Sequence, residues 1–84
     1  MAANQQVNDE IFQVYVTFKS GEVHVDTKYT SDMSKIRSAI QRLVNGPGRV
    51  VTKEVKVTDG QDIVCLHIID GKVVYPTRSI MNAG

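Results

Sequence analysis

Ile63-Val64-Cys65-Leu66-His67-Ile68-Ile69 is apolar on both of its alternating faces. Read as a strand, it points Ile63, Cys65, His67 and Ile69 one way and Val64, Leu66 and Ile68 the other. A strand of that kind asks for cover on both sides. Turn signals bracket it: Asp59-Gly60 before and Asp70-Gly71 after, with Lys72–Tyr75 as a further short strand that Pro76 ends. Upstream, 49–58 reads as another strand. Val51, Val55 and Val57 share one face, Lys53 interrupts that face near its start, and Val50, Thr52, Glu54, Lys56 and Thr58 form the other. The middle strand of this C-terminal meander, 63–69, is expected at the centre of the sheet.

The N-terminal half adds a hairpin and a helix. In 10–19, Phe12, Val14, Val16 and Phe18 form a buried face opposite Ile11, Gln13, Tyr15, Thr17 and Lys19. Ser20-Gly21 turns the chain into 22–29, where Val23, Val25, Thr27 and Tyr29 are expected inward and Glu22, His24, Asp26 and Lys28 outward. That charged outer face suits a strand near an edge. The period then changes. Met33, Ile36, Ala39, Ile40, Leu43 and Val44 recur at helical spacing, with Ser31 or Asp32 to cap the start. Asn45-Gly46-Pro47-Gly48 ends the helix, with Asn or Gly expected in the left-handed position.

The element order is therefore ββαβββ. The fold class is α+β: a single small domain, one helix on one face of a four- or five-stranded antiparallel sheet. Residues 1–9 read as a flexible arm, 10–76 as the domain and 77–84 as a tail from which Ile80 and Met81 can pack back. A chain of 84 residues carries one modest core, and its 42% hydrophobic content is too high for a disordered chain. The lone Cys65 rules out an internal disulfide. No apolar run approaches a membrane span, and Met-Ala-Ala-Asn-Gln-Gln lacks the charged and apolar regions of a signal peptide, so a cytoplasmic protein without membrane contact is expected.

The residues that usually carry chemistry are poorly arranged for it. Cys65, His67 and the distant His24 supply too few ligands, at no recognised spacing, for a zinc site. A thiol in mid-strand lacks the helix terminus or neighbouring cation that makes a thiolate. Asp59, Asp62 and Asp70 stand in turns, where Asp serves the backbone. Gly46-Pro47-Gly48-Arg49 follows a helix rather than preceding one, so it lacks the amides of a phosphate loop. The expectation is a non-catalytic protein with no metal and no cofactor.

Two surface features remain. No acidic residue occurs between Asp32 and Glu54, a span that holds Lys35, Arg37, Arg42, Arg49 and Lys53. Lys35, Arg37, Ser38, Gln41, Arg42 and Arg49 form a candidate basic surface, suited to steering toward an acidic protein. The second is the sheet face away from the helix, expected to carry Ile11, Tyr15, Cys65, His67 and Ile69, with Val50 and Val74, or Val73 and Tyr75, joining them. The reading is a small regulator or inhibitor, of the kind common among phage and mobile-element proteins. It binds a protein partner with an acidic surface and self-associates as a homo-oligomer through its sheet. The alternative is a nucleic-acid-binding module using helix 32–45 and Arg49, although Tyr15 alone offers a base a stacking surface. A third reading is a small-ligand-binding protein with its pocket between protomers.

Overall fold

The computed structural model describes residues 11–76; the expected N-terminal arm and the tail with Ile80 and Met81 lie outside the described residues. The elements are β1 (Phe12–Phe18), β2 (Val23–Thr30), α1 (Met33–Val44), a 3-10 turn (Pro47–Val50), β3 (Thr52–Asp59), β4 (Val64–Ile69) and β5 (Lys72–Tyr75). All five strands join one antiparallel sheet in the order β2-β1-β3-β4-β5. The ββαβββ architecture with one helix on one sheet is therefore as the sequence indicates.

The centre of the sheet is not. β3 occupies it, and β4 lies one strand from the edge. The helix carries the chain from edge strand β2 back across β1, so β3 adds to the free side of β1 and the meander grows outward from there. β4 is accordingly half-buried along most of its length; only Ile68 is buried.

Periodicity and chemistry account for the local structure. Asp32 caps α1 by accepting from the Ser34 amide at 3.0 Å and the Ser34 hydroxyl at 2.6 Å. These bonds hold its carboxyl below the usual carboxylate range. The expected left-handed helix end is absent: Asn45 has φ −116° and Gly46 φ −91°. The Asn45 and Gly46 amides instead both donate to the Gln41 carbonyl, and Pro47 starts the 3-10 turn. Gly46 is required by contact, since a Cβ there would stand 2.9 Å from the Arg42 carbonyl oxygen. At the β4–β5 hairpin, Asp70 and Gly71 have φ 51° and 79°, as a type I′ turn demands. Asp59-Gly60 opens a longer connection than a tight hairpin. The Asp59 carboxylate accepts from the amides of Gln61 and Ile63, so Ile63 is left exposed before β4 rather than within it.

The core lies between α1 and one face of β1, β3 and β4. Val14 and Val55 are fully buried, and Val16, Val57, Ile68, Ile36, Ala39 and Leu43 complete it. The helix spans only half of the sheet. It packs on β2, β1 and β3, and none of its Cα atoms comes within 8 Å of β4 or β5.

Over Val23–Val25 the orientation of β2 is the reverse of the expected one, whereas Thr27 pairs with the core residue Val14 and faces inward as expected. Val25 pairs with Tyr15 and Val23 with Thr17, on the face away from the helix, while His24 pairs with the core residue Val16. Val23, Val25 and Tyr29 are therefore exposed. The physical reason is Arg42. Its guanidinium grips both carboxylate oxygens of Asp26, at 2.9 and 2.8 Å, from the helix side of the sheet. A register irregularity between Val14 and Tyr15 places Asp26 under the helix, and the His24 ring lies 5.3 Å from that of Phe18.

Candidate functional site

Antiparallel pairing puts directly opposed residues on the same face. On the face away from the helix, this builds two rows that cross all five strands. One runs Val25, Tyr15, Lys56, His67, Tyr75; the next runs Val23, Thr17, Glu54, Ile69, Lys72. Tyr15, His67 and Ile69 thus lie on one face, whereas the expected place of Cys65 beside them is lost to a register irregularity that sets Val64, not Cys65, opposite Thr58. Ile11 stands at the end of the sheet, where its side chain lies against Gly60. Val50 is not part of this face; it is exposed in the 3-10 turn.

Sequence reasoning treated this face as apolar and missed its polar centre. Lys56 lies between Tyr15 and His67, and the Glu54 carboxylate accepts a hydrogen bond from the His67 ring nitrogen across 2.8 Å. That contact holds the Glu54 carboxyl below its ordinary value. Gln13 and Thr58 are buried beside it. Lys56 forms no ion pair within 4 Å among the described residues, and its nearest opposite charge in the rows is Glu54, whose carboxyl its charge also helps to hold down. The missing signal was strand order. Once β3 lies between β1 and β4, Glu54 and Lys56 must fall between Tyr15 and His67.

The basic surface divides. Arg37, Ser38, Gln41 and Arg42 line the outer side of α1 together with Ser34 and Asn45, and Lys35 stands on the groove toward β2. Arg42 is committed to Asp26, which lowers the Asp26 pKa and raises that of Arg42 through the shared hydrogen bonds. Arg49 is not brought to the helix surface at all. It borders a separate cavity with Lys19 and Lys53.

Nothing in this arrangement suits a metal: no group of three or more His, Cys, Asp or Glu side chains converges among the described residues. No helix among them is long and apolar enough to cross a membrane. The structure defines an α+β domain with a single helix on one face of a five-stranded antiparallel sheet. Comparison with protein-family models, curated proteins and solved structures finds no match to this chain.

Proposed function

We propose that the chain is a non-catalytic interaction protein that docks a protein partner on the sheet face opposite its helix. The observation that carries this reading is the pair of rows spanning five strands, with Lys56 at their centre and Tyr15, Val25, Tyr75 and Ile69 around it. Apolar side chains around a central charge that makes no close ion pair are the ingredients of an interface anchor. The partner presents a carboxylate to Lys56 and apolar surface to the tyrosines. Lys35 and Arg37 add long-range attraction to the same acidic partner. A regulator or inhibitor working by occlusion, in the cytoplasm, fits such a surface, and a second copy of the chain is a further occupant of the face.

The test uses tagged full-length protein and its Tyr15→Lys and Lys56→Glu variants, with folding verified by circular dichroism. Capture of one protein by the wild type and its loss in both variants is the expected result. Recovery of nucleic acid instead, abolished by Arg37→Gln and unaffected by Lys56→Glu, would overturn it. Light scattering at high concentration decides self-association: a dimer that Tyr15→Lys dissociates is expected, and a monomer throughout ends that part of the proposal.

A further inference from the structure

Where the helix stops short of β4, a cavity of about 260 Å³ opens on the helix side of the sheet. Its floor is Val55 and Ile68, and Leu43 and Val44 wall it from the helix. Around it stand Lys19 from the end of β1, Arg49 from the 3-10 turn and Lys53 from the start of β3, with Asp70 and Gly71 of the β4–β5 turn.

The convergence is the unusual feature. These cations are separated in sequence and arrive from three different elements. Among the described residues none of them, nor Asp70, forms an ion pair within 4 Å. Lys53 interrupts the apolar side of β3, a position where its neighbours Val55 and Val57 are buried. Three positive charges set against Asp70 leave two unanswered around one concavity. Cations concentrated around a recess of lower dielectric raise the local concentration of anions.

We propose that this cavity binds a small phosphate monoester. Such a group carries about −1.5 to −2 charge at neutral pH and three acceptor oxygens, matching the unanswered charge and the three donors. A carboxylate would leave half of that charge unmatched. The volume equals about eight or nine waters at about 30 Å³ each, enough for the phosphate and a short substituent against the half-buried Val44. The site stands on the opposite side of the sheet from the docking face and does not depend on it.

The test is a ¹H–¹⁵N titration of the full chain with inorganic phosphate, glycerol phosphate, acetate and a short single-stranded oligonucleotide. Both phosphates should shift the amides of Lys19, Thr52, Lys53, Asp70 and Gly71, and glycerol phosphate should bind more tightly. If inorganic phosphate binds as tightly as the ester, the substituent has no place against Val44 and the monoester assignment fails. Affinity should rise from pH 5 to 7 as the ligand loses its second proton near pH 6. Arg49→Gln and Lys53→Gln, both of exposed residues, should each weaken binding about fivefold or more, and Asp70→Asn should tighten it. Acetate matching phosphate, binding unchanged in Lys53→Gln, or displacement of glycerol phosphate by the oligonucleotide would each overturn the proposal.

Discussion

The Asp26–Arg42 pair ties the edge strand to the helix, and its contribution can be measured. Its geometry is bidentate, at 2.9 and 2.8 Å. The Asp26 side chain is only 14% exposed, but Arg42 keeps 53% of its surface in water. Exposed ion pairs contribute about 0.2–1 kcal/mol, and forked geometry with one partner sheltered places this pair at the upper end, about 1 kcal/mol. In a domain of this size that corresponds to about 4–8 °C in Tm. A double-mutant cycle of Asp26→Asn and Arg42→Gln, followed by urea and thermal unfolding, isolates the coupling. The pH dependence has a definite sign. The folded-state pKa of Asp26 is depressed, chiefly by the Arg42 hydrogen bonds. The contribution is therefore fully present above the unfolded value near 4 and is lost as pH falls through the lower folded value. Coupling of about 1 kcal/mol at pH 7, declining once pH falls below the unfolded value and reduced in 1 M salt, is the expected pattern. Zero coupling at pH 7 in low salt would refute the placement of Asp26 beneath the helix, and with it the orientation of β2.

Four further substitutions test the two faces of the sheet and the helix end. Ile68→Ala should cost about 2–4 kcal/mol by removing a buried core side chain, while Ile69→Ala, on the far face, should cost less than about 1 kcal/mol; urea midpoints compare them. Gly46→Ala drives a methyl group to 2.9 Å from the Arg42 carbonyl oxygen and should lower stability by about 1–3 kcal/mol, read by thermal unfolding. Thr58→Val should raise stability by about 1 kcal/mol, because the Thr58 hydroxyl is buried without a hydrogen-bond partner among the described residues.

The helix was legible as an element, because a 3.6-residue stripe between Asp32 and Pro47 has no competing interpretation, but its left-handed end was not borne out. The strands were legible as strands but not as faces. Alternation sorts β2 into Val23 and Val25 against His24 and Asp26; it does not say which set lies under the helix. Charge suggested that the polar set faces water, yet a single arginine on α1 makes the helix side the better place for Asp26. A bulge near Asp26 then breaks the period that the inference relied on. Tyr15, His67 and Ile69 could be grouped from their own strands alone. Lys56 and Glu54 could not, since their place in the rows depends on β3 lying between β1 and β4. Arg49 was assigned to the helix by proximity in sequence, whereas the 3-10 turn carries it to the cavity.

β3 contributes to both proposed surfaces, Lys53 on the helix side and Lys56 on the far side, as β4 does with Ile68 and Ile69. The coupling between them is therefore calculable. Three residues at about 3.3 Å each separate their backbones by about 10 Å. A dianion at Lys53 and a partner carboxylate at Lys56 repel in water by about 0.8 kcal/mol unscreened, and by about 0.2 kcal/mol at physiological salt, where the Debye length is about 8 Å. Glycerol phosphate at saturation should thus weaken partner binding by less than about twofold, and the partner should weaken glycerol phosphate by the same factor, because linkage is reciprocal. Titrating each in the presence of the other measures this. Reciprocal weakening of tenfold or more exceeds what charge delivers over that distance. It would mean that β3 itself shifts its register or twist when either side is occupied, and that the sheet is not the rigid platform from which both sites were derived.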